Sequence, residues 1–168
     1  RGRNLATQPG DIVQVGAGTY NERITVTNSG SAGGGKITFR GQDGSGCPTT
    51  PVTDPAWTGG SRPSPTVTMQ GWTVNANYIA IDCFMVTGNS GAGVDIPINM
   101  TNIDVTDNYF EGAGAGTPWV GINMPDGVAL STMPQNIYGA RNYIHKTSYG
   151  IMIHCRTCLF EDNEIDDM

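Results

Sequence analysis

The chain has 168 residues, 24 of them Gly and 10 Pro, with only 14% charged residues and a formal net charge of −6. That length suffices for one domain with a sizeable core, and nine Lys and Arg spread along it make no phosphate-binding surface, which sets aside duplex DNA and RNA as partners. No apolar run approaches the ~20 residues of a membrane span, and none keeps helical spacing for long, so an all-β domain with many turns is expected.

In the N-terminal third, Asp11-Ile12-Val13-Gln14-Val15, Arg23-Ile24-Thr25-Val26, Lys36-Ile37-Thr38-Phe39 and Thr66-Val67-Thr68-Met69 alternate like half-buried strands between Gly-rich turns. Residues 41–65, with five Pro and five Gly, read as one long surface loop. From Ile79 onward the sequence repeats. Segments beginning at Ile79, Ile103, Ile137 and Cys158 share one alternating template at offsets of 24, 34 and 21 residues. After the first three of these comes a second alternating strand led by Gly93, Gly121 or Gly150.

Strand repeats of ~20–30 residues with no helix between them indicate a β-solenoid, in which residues at equal repeat positions become neighbours at ~4.8 Å. The inward columns are then Ile79, Ile103, Ile137, Cys158 and Ile81, Val105, Gly139, Phe160. Asn108, Asn142 and Asn163 fall in one column at the turn after the first strand and are expected to form a hydrogen-bonded Asn ladder, with Phe84 in that position one rung earlier.

The run QPGDIVQVGAGTYNERITVTNSGSAGGGKITFRGQDG, residues 8–44, carries a PGD turn, a strand, a GTY turn, a strand and a Ser-Gly-rich loop before an I-T-x-R-G strand. It resembles the opening of right-handed parallel β-helix proteins of the pectate-lyase-like superfamily. The resemblance implies one right-handed parallel β-helix over residues 1–168, with rungs of about 20–34 residues and loops of unequal length. It leaves activity open, because that superfamily holds polysaccharide lyases, hydrolases, epimerases, adhesins and non-catalytic proteins alike.

In the lyases an Arg or Lys takes the proton beside a uronate carboxylate while acids hold calcium. Carried to this chain, the resemblance makes Arg141 and Lys146 candidate bases, with His145 on the same face, and Asp82, Asp104 and Asp107 candidate calcium ligands. Asp82 and Asp104 are expected one above the other. No lyase motif maps residue by residue. The competing reading of the columns Asp107, Arg141, Asp162 and Glu111, His145, Asp166 is charge pairing between adjacent rungs. An acidic surface also favours a neutral polysaccharide over polyuronates; Trp57, Trp72, Trp119, Tyr109, Tyr143 and Tyr149 are candidate sugar-stacking faces.

Four cysteines, much Gly, Thr, Ser and Asn, and little Lys suit a secreted or cell-surface protein. Cys47 and Cys83 are one candidate pair; Cys155 and Cys158 are a disulfide across a corner or two buried thiols. Arg1 to Gln8 are too few to cap the first rung, and residues 164–168 stop part-way round the last. Both ends are therefore expected to be uncapped, and copies stacking head to tail into a filament or surface scaffold are expected, ahead of a lyase-like or other carbohydrate-active enzyme.

Overall fold

The computed structural model describes residues 8–41, 47–51, 61–88, 91–113 and 119–166. Strands are the only regular secondary structure among them, and no helix among them is long and apolar enough to cross a membrane. Strands β1 (Ile12–Gln14), β3 (Ile37–Arg40), β7 (Ile79–Asp82), β10 (Thr101–Thr106), β13 (Gln135–Ala140) and β16 (Thr157–Glu161) pair in that order, all in parallel, as the first face of a coil. A second face is built by β8 (Met85–Gly88), β11 (Tyr109–Gly112), β14 (Tyr143–His145) and β17 (Glu164–Asp166), and a third by β9 (Gly91–Asp95), β12 (Trp119–Asn123) and β15 (Tyr149–Met152).

Two long strands, β2 (Gly18–Val26) and β6 (Val67–Val74), serve both faces at once. Thr68 and Met69 of β6 pair with β8, whereas Trp72 and Thr73 pair with β9. The bend between these halves falls at Gly71, whose φ of +135° is open to glycine but strained for other residues. Chain path and pairing define a parallel β-helix. The 41–65 segment departs from the loop expected of it, because β4 (Thr49–Pro51) and β5 (Ser61–Pro63) pair antiparallel within it.

The first-face register is the one the repeat offsets predict: Ile79 opposes Ile103, Ile103 opposes Ile137, and Ile137 opposes Cys158. Alternation puts Ile79, Ile81, Ile103, Val105 and Ile137 in the core, where Trp72, Phe84, Phe110 and Trp119 fill the centre with no exposed surface, or nearly none. Farther from the centre, Gly139 makes room for the ring of Phe160 beneath it.

The corners after β7, β10, β13 and β16 each turn on a left-handed residue, Cys83, Asp107, Arg141 and Asp162, with φ between 53° and 63°. Such a backbone costs roughly 1–2 kcal/mol in a non-glycine residue. The Asn that follows offsets it in two of these corners. Asn108 Nδ2 donates to the Thr106 carbonyl at 2.8 Å and Asn163 Nδ2 to the Glu161 carbonyl at 3.0 Å, each clasping the chain across the left-handed residue. Along the coil, Asn108 Nδ2 donates to Asn142 Oδ1 at 3.1 Å and Asn142 Nδ2 to Asn163 Oδ1 at 2.8 Å. The expected ladder is present, and it begins where the Phe84 N–H donates to Asn108 Oδ1.

Candidate functional site

The polar residues singled out by the sequence lie on the outer surface of the first and second faces and at the corner between them. The corner column is held by Arg141, whose Nε and Nη2 donate to the two carboxylate oxygens of Asp107 at 2.9 and 2.6 Å. This fork-on-carboxylate bond pushes the Arg141 pKa further up from its already high ordinary value, against a smaller opposing effect of desolvation. Tyr138 nearby donates to Glu161 at 2.7 Å, a bond that raises the phenol pKa.

On the second face, Glu111, His145 and Asp166 stack in register. Glu111 accepts from Tyr109 at 2.7 Å and from Lys146 Nζ at 3.2 Å. Asp166 accepts from the Tyr143 hydroxyl at 2.9 Å and meets His145 Nδ1 at 2.5 Å. Tyr109 and Tyr143 pack edge to face at 4.8 Å, and burial followed by the bond to Glu111 drives the Tyr109 phenol well above its ordinary value. The cluster is thus a set of cross-rung pairs in which each candidate base is already bound to a carboxylate.

The three candidate calcium ligands do not converge. Asp82 opposes Thr106, and Asp104 opposes Ala80, so the expected stacking of the two acids is corrected by a shift of two residues. Each acid has its own cation instead: Asp82 with Arg40 at 2.7 Å, Asp104 with Lys36, and Asp107 with Arg141. Among the described residues, no group of three or more His, Cys, Asp or Glu is placed to hold a metal ion, whereas calcium calls for six to eight oxygens about one point.

Of the candidate stacking aromatics, Trp72 and Trp119 are wholly buried, Tyr149 is 61% exposed, and Trp57 lies outside the described residues. Cys47 pairs with Cys83, Cα to Cα 5.4 Å, tying the 41–65 segment to the corner column; Cys155 pairs with Cys158 at 6.3 Å across the corner before the last rung.

Sequence reasoning missed a groove on the outer surface where the second and third faces diverge. One part, of about 540 Å³, is lined by Asn21, Arg23, Gln70, Thr87 and Glu111; the adjoining part, of about 520 Å³, shares Arg23 and adds Thr73, Asp95 and Asn123. Arg23 sits at the fork, donating to Thr73 Oγ1 at 3.1 Å and to the Ala92 and Trp72 carbonyls at 2.5 and 2.7 Å. Desolvation lowers its pKa, and Asp95 opposes that shift. The available signal was Gly71 inside a strand pattern, since a glycine there marks a bend or a close approach: a Cβ on Gly71 would meet Arg23 Nη1 at 2.6 Å.

Comparison with known proteins returned no matching family model, curated protein or solved structure. The chain's fold and contacts define a parallel β-helix with an Asn ladder, cross-rung ion pairs and a polar flank groove.

Proposed function

We propose that the chain is an extracellular β-helical scaffold module whose copies stack end to end. One observation carries this reading. Of the eight large apolar side chains exposed among the described residues, six lie on or next to the end strands of the faces: Ile12 and Tyr20 at one end, Tyr149, Ile153, Leu159 and Ile165 at the other. Both ends also present strand edges that pair on one side only among the described residues, which makes them templates for added strands.

The coil's own register makes the two ends match. Ile12 and Leu159 share one outward column, Val13 and Phe160 share the inward column beside it, and Tyr20 and Ile165 share the inward column of the second face. A second copy set on the first in that register places Ile12 on Leu159, Val13 on Phe160 and Tyr20 on Ile165. A head-to-tail contact of this kind does not close on itself, so it yields a filament. Two disulfides support an oxidising location.

The lyase-like reading has less behind it. A general base needs a pKa lowered toward the working pH, whereas that of Arg141 is raised by Asp107, and Lys146 is bound to Glu111. A glycan-contacting face is the better second reading, supported by the amides, hydroxyl and mixed charge of the flank groove.

Light scattering across a wide concentration range tests the scaffold reading. The expected result is mass that grows with concentration and is reduced in Leu159→Glu; a strictly monomeric wild type overturns it. Retention on a neutral polysaccharide, lost in Gln70→Ala with Thr87→Ala, tests the groove.

A further inference from the structure

The corner between the third-face strand β12 and the first-face strand β13 carries an Asp-Gly pair, Asp126 and Gly127, outside the three faces and the groove. The Asp126 side chain is 76% exposed. Two donors meet on one of its oxygens: the Gly127 N–H reaches Oδ1 at 2.6 Å and His154 Nε2 reaches it at 3.2 Å. Gly127 has a φ of +69°, and the space where a Cβ would stand is empty to 4 Å, so no side chain crowds the approach on that side.

Hydrogen bonds hold the bend on both sides. The Met124 N–H donates to the Met152 carbonyl at 3.2 Å, and the Met124 carbonyl accepts from His154 Nδ1 at 3.2 Å. Beyond the bend, the Thr132 N–H donates to the Ala129 carbonyl at 2.9 Å and the Asn99 N–H to the Thr132 carbonyl at 2.7 Å. A carbonyl oxygen only accepts, so Nδ1 carries a proton there; the ring that also donates through Nε2 is the imidazolium, which has a proton to give. Asp126 Cγ is one covalent bond from Oδ1, so it lies no more than a bond length beyond the 2.6 Å between Oδ1 and the Gly127 nitrogen. Near-attack arrangements hold reacting atoms about 3–3.5 Å apart.

We infer that Asp126 and Gly127 form a self-modification site, at which the chain closes a succinimide ring with His154 as the acid. The Gly127 nitrogen bonds to Asp126 Cγ while the Cγ–Oδ1 bond breaks. Oδ1 leaves as water, taking one proton from the Gly127 amide and one from the His154 imidazolium, the two groups that already donate to it. The carboxylate and imidazolium charges cancel, and nothing is oxidised or reduced. Water then opens the ring. Attack at Cγ restores Asp126, whereas attack at the Asp126 main-chain carbonyl breaks its bond to the Gly127 nitrogen and leaves an isoaspartate, with the peptide link running through the side chain. The substrate is the chain itself and the second reactant is water, so the reaction is independent of end-to-end stacking. Its product lengthens the corner between β12 and β13 by one backbone carbon.

Peptide mapping by mass spectrometry, after incubation of the full chain near neutral pH, reads the isoaspartate, and added hydroxylamine traps the imide as a hydroxamate. Expected is isoaspartate at Asp126 formed about ten-fold or more faster in the folded chain than in the same chain unfolded in urea. Mapping separates it from the other Asp-Gly pair, Asp43 and Gly44, which lies outside the described residues. Asp126→Glu, whose closure needs a larger and slower-forming ring, abolishes both isoaspartate and hydroxamate at this position. His154→Gln keeps a donor to Asp126 but no transferable proton; it slows the folded chain toward the unfolded rate, and added imidazole restores part of the difference. A folded wild type that reacts no faster than the unfolded chain overturns the proposal, and a His154→Gln variant as fast as the wild type overturns His154 as the acid. Circular dichroism identical to wild type verifies that both variants fold.

Discussion

Replacing Asn142 by Ala probes the ladder at its middle. The side chain is 1% exposed. Its Oδ1 accepts from the Asn108 N–H and from Asn108 Nδ2, both at 3.1 Å, and its Nδ2 donates to the Val105 carbonyl and to Asn163 Oδ1, both at 2.8 Å. Truncation orphans the buried Asn108 N–H, a cost of ~1–3 kcal/mol, and removes three further bonds at a net ~0.5–1.5 kcal/mol each, partly recovered because Asn108 Nδ2 keeps the Ile81 and Thr106 carbonyls. A loss of about 3 kcal/mol follows, which for a chain of this size lowers Tm by about 6–12 °C. Thermal unfolding followed by circular dichroism reads it, with the exposed Asn21→Ala as control. An Asn142→Ala variant that melts with the wild type would refute the ladder as a source of stability.

Gly93→Ala is expected to cost about 1–3 kcal/mol in urea denaturation, since its Cβ would meet Phe110 Cδ1 at 2.5 Å and the Gly121 carbonyl oxygen at 2.7 Å, whereas Gly16→Ala, with nothing within 4 Å, stays near wild type. Removing the Cys47–Cys83 bridge by Cys47→Ala with Cys83→Ala opens a loop closed over 36 residues and lowers stability by about 3–4 kcal/mol on the chain-entropy account, read from the urea midpoint. The raised phenol of Tyr109 favours its protonated form in the folded chain. Its contribution is complete below about pH 10, the ordinary phenol value, and is lost as pH rises through the folded-state value. Melting temperatures between about pH 8 and pH 11 should therefore decline less steeply in Tyr109→Phe than in the wild type.

The repeats were legible because strand alternation and spacing both survive from Ile79 to Ile165; Ile103, Ile137 and Cys158 sit where offsets of 24, 34 and 21 put them. The Asn ladder was legible for the same reason, being one position read down the same template. The same offset of 24 residues that sets Ile79 against Ile103 sets Asp82 against Thr106. The expected stacking of Asp82 on Asp104 misread the template by two residues, a slip that keeps a side chain on the same face.

Ile37 opposes Ile79 across 42 residues, a spacing that the 41–65 insertion hides from any search for a period. The flank groove was harder still. Its residues come from β2, β6, β8 and β11 in one part and from β2, β6, β9 and β12 in the other, which converge only because β6 bends at Gly71 and splits its pairing between two faces. The pairing of Lys36 with Asp104 joins strands two places apart in the sheet, and neither residue marks the other in sequence.

Fibre diffraction or electron microscopy of concentrated protein tests the end-to-end account most directly. The six first-face strands among the described residues of each copy, at ~4.8 Å, give an axial repeat of about 29 Å when a junction continues the coil without a gap. The account predicts filaments of uniform width with that repeat and a strong ~4.8 Å reflection along the axis. Protein that forms no filaments, or filaments whose repeat is not a whole number of rungs, would contradict it.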